Sequence, residues 1–360
     1  MVVGSVLFAE ASPNRVSAQT TEPSTSNAEP TTAAATTPTP EPTTSTTLDL
    51  LPPEVPPTRR TAPPAPTAPE TTAVATTTTT GAPVAPTNDP SLAPVCASAV
   101  GALPVTPRRP CRIIAYYGTP SAPSLGILGR LPRTEMPAAL LADANAWAVA
   151  DPSTTTRCAF DLIAITAQAS KGPAGLYRAR MSPAVLGSMI ALARANGCIT
   201  ILDLQVGQSS VPVELPYFLP WLALPDVHLA LDPEWDMPPG VVPGTQIGSM
   251  EAADINAAID SMTQLVRARS IPPKLVIVHR FRDFMIVNPA AVRATPEVRL
   301  LVNMDGFGPP ASKLATYARV RLGLAVELTG FKLFTRNDVP MLRPADVLPL
   351  KPSPTFINYQ

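Results

Sequence analysis

The chain has 360 residues, with 27 basic and 27 acidic side chains. Because its net charge is zero, it offers no overall field for nucleic acid or an anionic membrane surface. No apolar run approaches the roughly 18 residues of a membrane-spanning helix. We therefore expect neither a nucleic-acid partner nor a transmembrane span.

The N-terminal quarter is predicted to be a leader and a linker. Residues 1–18 contain a short apolar core followed by Val16, Ser17 and Ala18, which resembles a signal peptide without its basic start. Residues 19–95 are dominated by Thr, Pro, Ala and Ser, and such a segment buries too little apolar surface to offset the entropy of ordering. We predict a disordered linker in an exported protein, either secreted or associated with the cell surface or cell wall.

The four cysteines lie near the starts of apolar runs. Cys111, Cys158 and Cys198 each precede such a run, and Cys96 lies in the loop before the first one. Because an exported protein folds in an oxidising compartment, disulfides are expected. We predict the pairs Cys158–Cys198 and Cys96–Cys111.

Eight short apolar runs recur in the rest of the chain. They span residues 112–118, 160–168, 198–205, 227–234, 274–281, 298–305, 328–334 and 355–360. Their nearly continuous apolar character is typical of strands that are covered on both faces.

Helix signals lie between these runs. Ser182 and Pro183 have the N-cap and first-turn signature of a helix that stops at Asn196 and Gly197. Ser249 is predicted to cap a second helix, whose apolar stripe consists of Ile255, Ile259, Met262 and Val266. Further helices are expected at 134–148, 214–224, 312–321 and 344–350. The alternation predicts an α/β fold, a (β/α)₈ TIM barrel over residues 96–360, with an open doubly wound sheet as the alternative.

Polar side chains end all eight runs, where a barrel collects its active-site groups. Residues two apart share one face of a strand, which pairs Asp203 with Gln205, Asp232 with Glu234, and Asn303 with Asp305. The last run ends in Asn358 or Gln360. The predicted substrate-binding residues are Tyr116, Tyr117, Gln168, Gln205, Trp235, His279, Asn303 and Lys332.

Paired carboxylates above a barrel suit hydrolysis of a glycosidic bond, in which one acid protonates the leaving oxygen. We assign Glu234 as the general acid, because the adjacent Trp235 could exclude water and raise its pKa. Asp232 would orient Glu234 or supply charge. Asp305 and Asp203 are the candidates for the second carboxylate.

Most of these residues also have a structural interpretation. Asp232 and Pro233 could form a turn that ends a strand, and Trp235 could pack between a strand and a helix. Further structural roles are a core hydrogen bond for His228 or His279, helix N-caps for Asp203 and Asp305, and neutralisation of an acidic mouth by Lys332.

The tripeptide Asp232-Pro233-Glu234, at the end of the fourth predicted strand, is similar to the Asp-x-Glu motif of family-25 glycoside hydrolases, the cell-wall lysozymes. It resembles more loosely the family-18 barrels, in which Asp-x-Glu also ends strand four. The resemblance implies a barrel glycosidase with Glu234 as proton donor and Asp232 as its helper. The first run, RIIAYYG, lacks the aspartate of family 25, and HLALDPEW lacks the longer acidic run of family 18.

The sequence thus predicts an exported, monomeric glycoside hydrolase that acts on peptidoglycan or another extracellular polysaccharide, with no cofactor and no metal. One alternative is a non-catalytic barrel that binds carbohydrate or serves a structural role. A second is a metal-dependent phosphodiesterase that holds its metal with Asp232, Glu234, Asp305 and His279.

Overall fold

A computed structural model describes residues 91–99, 110–326 and 328–360. The predicted signal peptide and most of the predicted linker lie outside the described residues.

Eight parallel strands form a closed barrel. They are β1 (Cys111–Gly118), β2 (Thr155–Ala167), β3 (Ile199–Leu204), β4 (Val227–Leu231), β5 (Lys274–Arg280), β6 (Val298–Met304), β7 (Leu328–Leu333) and β8 (Phe356–Tyr359). Each strand pairs with the next along the chain. The pairing of β1 with β8 closes the sheet. The predicted (β/α)₈ barrel is confirmed, and the open doubly wound sheet is excluded because neither β1 nor β8 is an edge strand.

Helices lie between the strands, except between β5 and β6, where the described chain forms two 3₁₀ turns, Asp283–Met285 and Pro289–Ala291. The helices are α1 (Ala93–Ala97), α2 (Ile127–Arg130), α3 (Met136–Ala150), α4 (Pro183–Ala195), α5 (Val211–Leu222), α6 (Ala252–Arg269), α7 (Pro310–Arg319) and α8 (Pro344–Val347). Two short strands, Met250–Glu251 and Ile286–Val287, pair outside the barrel, and a third, Arg178–Arg180, runs antiparallel to the end of β2. In the part of the chain that the structure describes, no helix is both long and apolar enough to cross a membrane.

Of the two predicted helix N-caps, the structure confirms one and contradicts the other. The Ser182 hydroxyl accepts the Val185 N–H at 3.4 Å, as the sequence predicts for the cap of α4. The predicted cap of α6 is wrong: Glu251, not Ser249, holds the extended N-cap conformation, and its side chain makes no capping bond. Ser249 is displaced because its N–H joins the Asp236 carbonyl in the loop after β4.

Apolar side chains form two buried layers. One fills the space between the strands and the surrounding helices. The other fills the lower barrel, where Leu92 and Val95 from the α1 segment pack against strand residues such as Ile201 and Ile277. The predicted linker boundary at residue 95 therefore falls inside α1, because this short helix closes the amino-terminal end of the barrel.

Both predicted disulfides are present. Cys96 joins α1 to Cys111 at the start of β1, and Cys158 on β2 joins Cys198 just before β3. All four cysteines of the sequence are used. Two disulfides are consistent with a protein that folds in an oxidising extracellular environment.

His228 is a satisfied core histidine. Its Nδ1 accepts the Leu275 N–H at 3.2 Å, and its Nε2 lies 3.3 Å from the Ser98 hydroxyl, which donates to the Val95 carbonyl. Burial lowers its pKa well below the ordinary value, and Lys274 adds to that effect. The structural interpretation of His228 therefore holds, and this residue fixes α1 in the barrel floor.

Candidate functional site

The carboxyl-terminal half of the barrel interior is polar. The side chains that form this polar layer are Tyr117 (β1), Asp161 (β2), Asp203 (β3), Asp232 (just after β4), His279 (β5), Asn303 and Asp305 (β6 and just after it), Lys332 (β7) and Asn358 (β8). All are at most 7% exposed. Alternation along each strand, together with parallel register, brings residues from every run to one end of the barrel.

His279 lies at the centre of the polar layer. Its Nδ1 is 3.0 Å from an oxygen of Asp305, and its Nε2 is 2.9 Å from an oxygen of Asp203. Burial opposes a charged imidazole, but the two carboxylates outweigh it and raise the pKa of His279 well above its ordinary value. His279 therefore has a structural role, since it links the carboxylates of Asp203 and Asp305 in the polar layer.

Lys332 neutralises Asp305, as its predicted structural role requires. Its ammonium lies 3.0 and 3.1 Å from the two Asp305 oxygens and 3.6 Å from the centre of the Tyr117 ring. Burial alone would raise the pKa of Asp305, but Lys332 and His279 reverse the effect and lower it. Asp305 is therefore held as a carboxylate. Neither Asp305 nor Asp203 is a helix N-cap, since Pro309 precedes α7 and Ser210 precedes α5.

Several buried atoms of the layer have no hydrogen-bond partner among the described residues. They are Asp161 Oδ1, both Asp203 oxygens, Asp232 Oδ1, His279 Nε2, Asn303 Oδ1 and Asn358 Oδ1. The close approach of His279 Nε2 to Asp203 is too poorly aligned to count as a hydrogen bond. An unsatisfied buried acceptor costs about 1–3 kcal/mol, so several in one place indicate a site built for a ligand that brings donors or positive charge.

Glu234 lies at the rim above this layer and is partly exposed. β4 ends at Leu231, and Pro233–Trp235 form one turn of 3₁₀ helix, so strand alternation does not place this side chain. Two loop contacts fix the backbone here. The Gly248 N–H, from the far end of the same loop, donates to the Glu234 carbonyl at 2.7 Å, and the Gly207 N–H, from the loop after β3, donates to the Trp235 carbonyl at 2.9 Å.

The pKa values of Glu234 and Asp305 are shifted in opposite directions. Burial raises the pKa of Glu234 to about 7, and the charge of Asp305 adds to the rise. Asp232 is buried to 1% exposure, and burial together with the charge of Asp203 raises its pKa well above the usual range. The site therefore combines an accessible carboxylic acid, a buried neutral one and an ionised carboxylate.

Tyr117 and Gln205 complete the mouth. The Gln205 amide donates to the Tyr117 hydroxyl at 3.0 Å and accepts the Ala167 N–H at 3.2 Å. Burial and the nearby Asp203 carboxylate raise the pKa of Tyr117 well above its ordinary value, so its hydroxyl stays protonated.

Two predicted binding residues lie away from this cluster. Tyr116 faces the helices, where its hydroxyl donates to Asp143 of α3 at 2.6 Å, because neighbours on a strand point to opposite faces. Gln168 lies beyond the mouth, where β2 continues into a hairpin, and its amide donates to the Ser170 carbonyl. Trp235 stays at the rim and is partly exposed.

Three residues of the mouth are absent from the predicted set or only weakly indicated. Asp161 is the clearest omission, since it lies six positions before the end of β2. Its register partner on β1 is Tyr117, so Asp161 lies at the height of the mouth and the rest of β2 extends past it. Its signal was a charged residue inside the apolar run FDLIAI. Asn358 donates to Asp161 at 2.7 Å. Phe307, 41% exposed, packs edge-on against Phe334 near Lys332.

The chain matches no protein-family model, and no curated protein is significantly similar to it. The resemblance to family-25 and family-18 hydrolases therefore rests on the barrel, on the strand position and on Asp232-Pro233-Glu234. Function has to be argued from the side chains of the mouth.

Proposed function

We propose that this protein is an exported glycoside hydrolase that acts on peptidoglycan or another extracellular polysaccharide, with Glu234 as general acid and Asp305 as the second carboxylate. The observation that carries the proposal is that one barrel mouth holds a partly exposed carboxyl group whose pKa is raised to about 7 and a second carboxyl group whose pKa is lowered by Lys332 and His279. Two carboxyl groups held in opposite protonation states are what acid-assisted cleavage of a glycosidic bond requires.

Each residue has a defined task in this mechanism. Glu234 donates its proton to the leaving glycosidic oxygen, and Asp305 stabilises the positive charge that develops on the sugar or activates water. Of the two predicted second carboxylates, Asp305 is favoured because it retains 7% exposure, whereas Asp203 is fully buried against His279. Asp232 is a positioning residue, since it too is buried. Phe307 offers an exposed aromatic face beside the mouth for a sugar ring.

The burial of the polar layer favours a second candidate, a barrel that binds carbohydrate without cleaving it. Apart from Glu234 at the rim, the acidic side chains of the mouth have little contact with solvent. In a purely binding or structural protein, these acidic groups would serve only to stabilise the barrel interior through their contacts with one another and with His279 and Lys332.

Reducing-sugar release from peptidoglycan and a polysaccharide panel separates the two candidates. We expect activity in the wild type and a loss of at least about 100-fold in Glu234→Gln, the scale of a general acid's contribution. Glu135→Gln, a change at an exposed glutamate, is the matched control. Because Glu234 must carry its proton, activity should fall as the pH rises through about 7.

Equal activity in wild type and Glu234→Gln refutes the assignment of the acid. Sugar binding without turnover by the wild type, across the whole panel, supports the non-catalytic barrel.

A further inference from the structure

Three side chains of the polar layer bring atoms without a hydrogen-bond partner close together. They are Asp161 on β2, Asp203 on β3 and His279 on β5, and all three are fully buried. One ligand atom from each lies within 4.8 Å of the others. Asp161 Oδ1, both Asp203 oxygens and His279 Nε2 have no hydrogen-bond partner among the described residues.

We infer that Asp161, Asp203 and His279 form a binding site for one divalent transition-metal cation, with Mn²⁺ and Zn²⁺ as the expected ions. The sequence alone predicted no metal, and its alternative grouping used Asp232, Glu234 and Asp305 with His279. The register of β2 instead brings Asp161 into the ligand set.

The donor set fits such a cation. Carboxylate oxygens suit Mn²⁺, one imidazole nitrogen suits Zn²⁺, and both ions accept mixed oxygen and nitrogen ligands. Adjacent ligands of an ion bound at about 2.1 Å lie about 3 Å apart. The 2.9 Å between His279 Nε2 and Asp203 Oδ2, without hydrogen-bond alignment, matches that spacing.

Outer partners hold the three ligands in place. The Asn358 amide donates to the second oxygen of Asp161 at 2.7 Å, which leaves Oδ1 free. His279 Nδ1 lies 3.0 Å from Asp305 and 3.3 Å from the Asn303 amide nitrogen. In the tautomer whose Nδ1 proton points to Asp305, Nε2 is the ligand atom. A carboxylate behind a metal-bound histidine is the usual means of fixing the ring and its tautomer.

The site holds more carboxyl groups than basic ones. The three carboxyl groups of Asp161, Asp203 and Asp305 lie around His279 and the ammonium group of Lys332. Three protein ligands leave further coordination positions for water or a substrate oxygen, as in catalytic rather than structural metal sites.

Metal binding by the full chain, treated with EDTA and then dialysed, tests the inference. Titration with Mn²⁺ and separately with Zn²⁺, with Mg²⁺ and Ca²⁺ as comparators, should show one Mn²⁺ or Zn²⁺ per chain. Asp203→Asn should weaken binding by at least the roughly 10- to 100-fold typical of losing an outer-shell partner. Asp260→Asn, a change at an exposed aspartate on α6, should leave it unchanged.

Magnetic resonance of bound Mn²⁺ gives a readout that does not depend on activity. The spectrum should show coupling to one imidazole nitrogen, and the chain has only two histidines. Both ring nitrogens of His228 are already engaged, so the coupling assigns His279, and His279→Gln should abolish it.

The inference fails if neither Mn²⁺ nor Zn²⁺ binds the wild type below about 1 mM, or if bound Mn²⁺ shows no nitrogen coupling. In that event a charged His279, in ion pairs with Asp203 and Asp305, takes the place of the metal cation. Unchanged binding by a folded Asp203→Asn also refutes it. These outcomes are independent of polysaccharide cleavage, so the metal site and the proposed hydrolase can fail separately.

Discussion

Replacing Glu234 by Gln should stabilise the protein at high pH while abolishing the proposed activity. The folded state holds the pKa of Glu234 at about 7, above the ordinary 4.5 that applies to the unfolded chain. Below about pH 4 both states carry the proton. Between about pH 4.5 and 7 the unfolded chain releases it first, so the wild type loses stability as the pH rises. Glutamine stays neutral throughout and escapes this loss.

The size of the effect follows from the two pKa values. At about 1.4 kcal/mol per pKa unit, the difference between 4.5 and about 7 corresponds to about 3.5 kcal/mol over the whole titration, most of which falls between about pH 4 and 8. We therefore expect the stability of Glu234→Gln, relative to the wild type, to be about 3 kcal/mol greater at pH 8 than at pH 4. The subtraction cancels the titrating groups that do not interact with Glu234, whereas Asp232 and Asp305 interact with its charge and contribute to the measured difference.

Urea unfolding at several pH values between about 4 and 8, with both disulfides intact, measures this difference. Glu135→Gln, at an exposed glutamate, is the matched control. A Glu234→Gln difference that is flat would refute the burial argument. A variant that becomes less stable than the wild type toward high pH would show instead that Glu234 is held ionised.

Three further changes test the barrel interior. Lys332→Met leaves Asp305 without its ammonium partner at 3.0 Å, so the free energy of unfolding should fall by about 3–5 kcal/mol. Urea unfolding measures this loss, with Lys351→Met at an exposed lysine as the control. A loss below about 1 kcal/mol contradicts the buried ion pair. Gly330→Ala would place a methyl group 2.3 Å from Asn303 Oδ1, so it should lower the free energy of unfolding by at least about 1–3 kcal/mol. Gly187→Ala, in open space on α4, should raise it by about 0.5–1 kcal/mol. Changes of the same sign in both variants would count against the packing described. Replacing Cys158 and Cys198 by Ser should lower the free energy of unfolding by about 2–5 kcal/mol, and an unchanged thermal midpoint would argue that the bond contributes nothing.

The sequence by itself determined the barrel and the disulfide pairs. Strands buried on both faces carry a nearly continuous apolar signal, and eight such runs separated by helix-type segments leave few topologies. The pairing of Cys158 with Cys198 followed from the same pattern, since the starts of neighbouring parallel strands lie side by side.

The sequence also placed most of the mouth correctly, because alternation within a strand is a local property. Asp203, Asp232, His279, Asn303, Asp305 and Lys332 all lie in the polar layer. Two of the predicted binding residues lie outside this layer. Gln168 belongs to the part of β2 that extends beyond the mouth, and Tyr116 lies on the opposite face from Tyr117.

Only the tertiary structure decided which side chains meet. Asp161 joins His279 because the stagger of β2 against β1 and β3 sets its height in the barrel, and this stagger is a relation between strands far apart in sequence. Glu234 reaches the rim through a turn held by Gly207 of the loop after β3 and by Gly248, fourteen residues after Glu234 in the loop that follows β4. Local pattern fixes the face on which a residue lies, whereas its depth and its partners depend on long-range packing.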